Sequence, residues 1–366
     1  MPPLSVKEQA GQLLICGFNG VRLNAEIEDL ILHRHIGGVI LFDRNYENPD
    51  QLYALIRDMQ ALALGKANGI PLFVSVDQEG GRVSRLQSPF SDFPDAACLG
   101  RAKSEGLAFR FGQTLARELK AVGINMDFVP VLDVNTNPDN PVIGSRALSG
   151  SAEWAARLGG AVIRGFQAVG VLPVGKHFPG HGDTQIDSHV DLPFVQKNAA
   201  ELEAVELFPF AFTVHEGLDV IVTAHVMYPA WDEKYPATFS RLILHNILRE
   251  QLGFAGLIIS DDLEMNAICG RFSFESIPVF GMNAGLDLFL ICNSPEKAAA
   301  FHALMAEAIE QGHVSTRRVR QSLARILKIK EKVSHPVFPD TPPDFSTWSA
   351  RHQKLVEEMR AHLPHE

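Results

Sequence analysis

Cysteine is sparse in this 366-residue chain. Cys16, Cys98, Cys269 and Cys292 are scattered with no close pair, so neither a disulfide framework nor zinc-ribbon spacing is expected. Cys16 and Cys292 lie in apolar runs and read as buried thiols. A dense basic stripe is also missing, and the formal net charge is −10. Nucleic acid and anionic membrane surfaces are therefore not expected as main partners. No run approaches the roughly 18 uninterrupted apolar residues of a membrane span. The opening MPPLSVKEQAGQLL lacks the basic start and apolar stretch of a leader, and a cytoplasmic protein is expected. No G-x-G-x-x-G follows the first apolar run, which leaves a dinucleotide site without support. What remains, 46% hydrophobic and 21% charged residues, is ordinary globular composition that can build a sizeable core.

Two textures alternate along the chain. Short apolar runs occur at 13–18, 37–42, 72–77, 124–134, 171–177, 219–226, 256–261 and 287–292. They are rich in Val, Ile, Leu and Phe and seldom alternate with polar residues, as strands buried on both faces do. Helical patterns separate them at 24–35, 48–64, 106–123, 151–170, 198–217 and 240–253, with a weaker one at 275–285 and two more at 295–312 and 315–333. Eight such alternations predict an α/β fold, a (β/α)8 barrel, over an open doubly wound sheet. Residues 1–335 form the expected catalytic barrel. SHPVFPDTPPDF (334–345), with four prolines, reads as a connector, and 346–363 as a final amphipathic helix, N-capped by Ser346, that packs on the barrel.

Polar residues collect where the expected strands end. Asp77, Asp133, Lys176-His177, His225, Asp261-Asp262 and Asn293 all stand at such positions, which in a barrel face the chemistry. The densest segment is KHFPGHGDTQIDSH, Lys176 to His189. Its residue types allow a metal site built on His177, His181 and His189. They equally allow a general acid/base, with Asp187 orienting His189 and raising its pKa. His177 and His181 also suit a plainer role as hydrogen-bonded props. Asp261 is placed to act as a nucleophile toward an anomeric carbon. Adjacent strand residues point oppositely, so only one of Asp261 and Asp262 should face the axis. Asp77 can accept hydrogen bonds from neighbouring sugar hydroxyls. Arg85 and Arg146 can serve as fixed donors, or simply as surface ion pairs. Gly80-Gly81 fits a tight turn.

Three segments carry a resemblance to glycoside hydrolase family 3, and within it to the short, single-domain bacterial β-N-acetylglucosaminidases of peptidoglycan recycling. VDQEGGRVSRL (76–86) resembles the sugar-binding turn, KHFPGHGDTQIDSH the catalytic loop and SDDLEM (260–265) the nucleophile segment. VIGSR (142–146) and TAHVMYP (223–229) add weaker agreement. The resemblance implies Asp261 as nucleophile and His189, partnered by Asp187, as general acid and then base. It implies Asp77, Arg85, Arg146, Lys176 and His177 as holders of the N-acetylglucosamine ring, with no metal or cofactor. The implied substrate is a GlcNAc–1,6-anhydroMurNAc unit, or a muropeptide carrying it; a monomer is the default expectation, on which the sequence itself is silent. Position within the family's motif selects Asp261 over Asp262.

Three other readings stay open. A family phosphorylase would use phosphate where a hydrolase uses water, and a histidine acid/base repels phosphate less than a carboxylate does. A metal-dependent barrel hydrolase commonly needs a close His pair after the first strand, which LLICGFNG does not supply. A non-catalytic sugar binder would not need Asp187, His189 and Asp261 together.

Overall fold

The computed structural model describes residues 4–185, 188, 191–333, 338, 344 and 348–364. Each expected apolar run holds one strand, β5 and β7 extending one residue past theirs: β1 (Leu14–Cys16), β2 (Gly38–Leu41), β3 (Phe73–Val76), β4 (Met126–Asp127), β5 (Leu172–Phe178), β6 (Val220–Thr223), β7 (Leu257–Asp262) and β8 (Leu288–Ile291). The strands pair in chain order, and β8 closes in parallel register on β1. Every strand residue is buried except the last two of β7, Asp261 and Asp262. Inward side chains fill the barrel and outward ones meet helices, which is why the runs are continuously apolar.

α1 (Val6–Gln12) precedes β1; α2 (Ala25–Leu32) and α3 (Pro49–Gly65) follow β1 and β2. α4 (Ala97–Ala102) and α5 (Glu105–Ala121) lead to β4, and α6 (Ala152–Gln167) to β5. α7 (Ala199–Ala204) and α8 (Phe208–His215) precede β6, and a π-helical segment, Leu242–Gln251, precedes β7. α9 (Asn266–Cys269) and α10 (Ile277–Ala284) come before β8, and α11 (Pro295–Glu310) and α12 (Thr316–Lys332) after it. Asn24, Asn48, Ser104, Asn198, Ser294 and Ser315 cap their helices by accepting first-turn N–H groups, satisfying donors with no intrahelical partner. The single helix expected over 198–217 is two. Pro209 starts the second, because its ring and missing N–H suit only a first turn.

α13 (Trp348–Arg360) lies against α4 and α5. Arg110 grips Glu358 with two bonds of 2.8 and 2.5 Å, and His352 Nδ1 is 2.5 Å from Glu118. The expected cap Ser346 and most of the proline-rich connector lie outside the described residues. At the opposite end of the barrel, Lys330 of α12 is buried over the Phe73 ring, and its Nζ donates to Gln12 Oε1 at 2.9 Å. Burial pulls this ammonium down to about 7. Cys16 and Cys292 are buried free thiols, as expected. Among the described residues no helix is long and apolar enough to cross a membrane.

Candidate active site

The C-terminal strand ends enclose a cavity of about 190 Å³, and Asp77, Arg85, Arg146, Lys176, His177 and Asp261 all line it. Five residues expected to bind and the expected nucleophile thus share one space, though Asp77 and Asp261 stand 184 positions apart (261 − 77).

The first wall is the turn after β3. Gly80 and Gly81 have φ of 92° and 55°, a region that favours glycine. A Cβ on Gly81 would meet Asp95 Oδ1 at 1.9 Å. Gln78 locks the turn: its Oε1 accepts the N–H groups of Arg85 (2.7 Å) and Leu86 (3.0 Å), and its Nε2 donates to Leu86 O at 3.1 Å. Arg85 is held there with its guanidinium 5.5 Å from the Phe42 ring. Among the described residues its buried Nε has no hydrogen-bond partner, a donor available to a ligand.

Lys176 and His177 are consecutive in β5, where alternation would turn one away from the cavity. The β5–β6 register shifts between Gly175 and Phe178, and across this irregularity both side chains reach the cavity. Lys176 Nζ lies 2.6 Å from Asp77 Oδ1 and 2.5 Å from Glu79 Oε1. Glu79 also takes a bidentate pair from Arg146, at 2.9 and 2.8 Å. Glu79 was not singled out from the sequence, yet it joins two expected binding residues. Burial opposes its ionisation, but Lys176 and Arg146 outweigh that and hold it far below the usual carboxylate range. Burial likewise opposes the Lys176 charge, and Asp77 and Glu79 reverse the balance.

Asp133, fully buried, organises the next wall. Its Oδ2 lies 2.7 Å from His177 Nδ1, and its Oδ1 accepts the main-chain N–H groups of His177 (3.1 Å) and His181 (2.6 Å). Burial works against its negative charge, and His177 more than compensates, so its pKa is lowered. His181 is the prop its alternative reading describes. Its Nδ1 is 2.8 Å from Thr184 Oγ1 and its Nε2 3.2 Å from Ser188 Oγ. Burial lowers its pKa to about 4, so the ring is neutral at pH 7 with both nitrogens engaged by hydroxyls. Among the described residues no group of three or more His, Cys, Asp or Glu side chains is arranged to hold a metal ion. Asn140 donates to His181 O at 2.9 Å and accepts from Val142 and Ile143, tying the Arg146 loop to the segment after β5.

Asp261 and Asp262 part company at the end of β7. Asp261 lines the cavity, and among the described residues its one hydrogen bond is from Asp262 N–H, at 2.8 Å. Burial would raise its pKa, but His177, His225, that N–H and Lys176 together lower it. It is an ionised carboxylate held by field more than by contact. Asp262 instead accepts from Glu264 N–H (3.1 Å), Cys292 N–H (3.2 Å) and Asn293 Nδ2 (3.2 Å). Burial raises it to about 6. It ties β7 to the end of β8.

Asp187 and His189 lie outside the described residues. Ser188, between them in sequence, lines the cavity, and its carbonyl accepts from Ala267 N–H at 3.3 Å. An ionised carboxylate facing anchored cations and an unpaired guanidinium donor suits attack at an electrophilic carbon of a polyhydroxylated ligand.

Residues 5–329 match the glycosyl hydrolase family 3 N terminal domain. The chain is 34% identical over 359 residues to β-hexosaminidase A of Pseudoalteromonas piscicida, which covers 92% of this chain and 60% of that protein. It therefore spans less than two thirds of that relative. It is 42% identical over 272 residues to a β-hexosaminidase of Nitrosomonas eutropha, covering 73% of this chain and 76% of the relative. A solved family 3 β-N-acetylglucosaminidase from Paenibacillus sp. str. FPU-7 superposes with a TM-score of 0.93 at 38% identity, over 98% of this chain and 69% of that one.

Proposed function

We propose, from the premise that the chain belongs to glycosyl hydrolase family 3, that this glycoside hydrolase is a retaining β-N-acetylglucosaminidase acting on GlcNAc–1,6-anhydroMurNAc and the muropeptides that carry it. The observation that carries the reading is Asp261: ionised, with one hydrogen bond among the described residues, and facing the cavity that Lys176, Arg85 and Arg146 line.

In the first step an Asp261 oxygen attacks the anomeric carbon. The bond from that carbon to the leaving oxygen breaks, and His189 donates its proton to that oxygen. In the second step His189 takes a proton from water. The water oxygen attacks the anomeric carbon and expels the Asp261 carboxylate. Two inversions return the β configuration. Asp187 orients His189 and stabilises its charged form; the cavity position of Ser188 supports a role for its two neighbours. Asp77, Arg85, Arg146, Lys176 and His177 hold the sugar ring. The enzyme works as a cytoplasmic monomer on a small sugar substrate, without metal or cofactor.

The test is release of 4-nitrophenol from its β-N-acetylglucosaminide by wild type and Asp261→Asn, in phosphate-free buffer containing chelator. Turnover by wild type and near-complete loss in the variant is expected. Turnover that survives the substitution overturns the nucleophile assignment. Turnover that appears only with phosphate, with sugar 1-phosphate as product, makes the enzyme a phosphorylase. Cleavage of GlcNAc–1,6-anhydroMurNAc in preference to chitobiose is the expected substrate result; the reverse order removes the cell-wall assignment.

A further inference from the structure

A second cavity, of about 450 Å³, opens between the π-helical segment, α10 and the start of α12. Arg241, Arg249, Arg317, Arg318 and Arg325 all line it. It lies at the other end of the barrel from the candidate active site. Arg249 donates to Phe254 O and Gly256 O just before β7, and Asp287, beneath the cavity, immediately precedes β8. Asp261 is at the far end of that same β7.

The charges here do not balance. Asp287 is fully buried and is the one carboxylate paired with these arginines among the described residues. It meets Arg249 at 2.6 Å and Arg318 and Arg325 at 3.2 Å each. Its oxygens also accept from Ser322 Oγ (2.7 Å) and Ile258 N–H (3.2 Å). Arg241 and Arg317 are exposed and have no partner among the described residues. Five guanidiniums line the cavity; counting Asp287 beneath it and Glu250, 3.4 Å from the lining His245, the surplus is +3 (5 − 2), on a chain whose total is −10. Burial, with repulsion from Arg325 and Arg318, lowers Arg249 to about 10 despite Asp287. Planar guanidiniums converging on one concavity fit the oxygens of a phosphoryl group. The cavity also shares Arg241 and Asn283 with an apolar groove formed by Tyr235, Phe239, Leu242 and Phe280.

We propose that this cavity is a second ligand site, which takes the phosphoryl group of a small phosphate or phosphate monoester, remote from the reacting carbon. Arg249, Arg318 and Arg325 are fixed by Asp287 and form its floor. Arg241 and Arg317 close on the anion. The neighbouring groove takes an apolar or planar substituent where the ligand has one.

Calorimetric titration of the full chain with inorganic phosphate and with adenosine monophosphate, at constant ionic strength set with chloride, tests this. The partner protein is Arg241→Ala/Arg317→Ala, whose substituted side chains make no described contacts, with each single variant as a check on folding. Saturable binding to wild type that weakens at least about tenfold in the double variant is expected, while turnover of the nitrophenyl glycoside without phosphate stays unchanged. Tighter binding of the monophosphate upholds the site and extends it into the groove; equal binding upholds it for the phosphoryl group alone. No saturable heat from either probe, or equal affinity in wild type and double variant, overturns the proposal. Binding of phosphate as a co-substrate at the catalytic cavity would persist in the double variant and is thereby distinguished.

Discussion

The two ends of this barrel treat buried charge in opposite ways. At the C-terminal end cations are answered generously: Lys176 touches both Asp77 and Glu79, and Arg146 holds Glu79 with two bonds. At the N-terminal end a lone carboxylate, Asp287, is divided among Arg249, Arg318 and Arg325. The first arrangement fixes side chains without spending Asp261, which stays ionised and free to react. The second leaves positive charge unanswered. Pre-organisation and charge surplus thus occupy separate ends of the same strands, so the chemistry and the anion site proposed above would not compete for the same groups.

Replacing Asp261 by Asn breaks the reactive end most severely. Turnover is expected to fall by about a thousandfold or more, with a melting temperature close to wild type, measured by steady-state assay and thermal denaturation. Asp287→Ala strikes the other end: three guanidiniums lose their carboxylate, and a stability loss of about 3–5 kcal/mol is expected in denaturant titration. Glu79→Gln removes a charge but keeps an acceptor, so a smaller loss of about 2–3 kcal/mol is expected, along with a raised KM. A loss equal to that of Asp287→Ala would show that neutralising Glu79 is as damaging as deleting its counterpart. pH separates the classes further. Glu79, Asp133 and Asp261 have lowered pKa values in the folded state. Their contribution is complete above the unfolded value of about 4 and fades as pH falls through the lowered values. Asp262, raised to about 6, does the reverse: its charge weakens the fold as pH climbs from about 4 to 6. Asp262→Asn is therefore expected to gain stability relative to wild type across that window, read as melting temperature against pH, with turnover changed by no more than about threefold.

The strands were legible because both faces of a barrel strand are buried, so each run is apolar along its whole length. The set of residues gathered at their ends was legible because polar side chains at six strand termini must converge once the barrel closes. Glu79 was not legible from spacing, since its partners stand 67 and 97 positions away (146 − 79 and 176 − 79). A charge count held a clue: with Asp261 set aside as the expected nucleophile, Arg85, Arg146 and Lys176 had only Asp77 to answer them in that cavity, and Glu79 sits in the same quoted turn. Asp133 was expected to end the fourth strand, but β4 stops at Asp127, and the grip of Asp133 on two main-chain N–H groups is a property of the loop that follows. The arginines of α12 were not singled out from the sequence. Only the fold brings Arg241 and Arg249, some 70 residues earlier (318 − 249 = 69), to the same concavity.

The Gln12–Lys330 hydrogen bond joins residues 318 positions apart. It fastens the first barrel helix to the last across the seam where β1 meets β8. A ribosome must therefore have delivered nearly the whole barrel before this clasp can form and the ring can shut. Until β8 (Leu288–Ile291) is made, β1 waits with one unpaired edge, the kind of surface chaperones recognise. A chain stopped short of Lys330 would already possess Asp77, Lys176 and Asp261, yet it would lack the last tie that holds their circle closed.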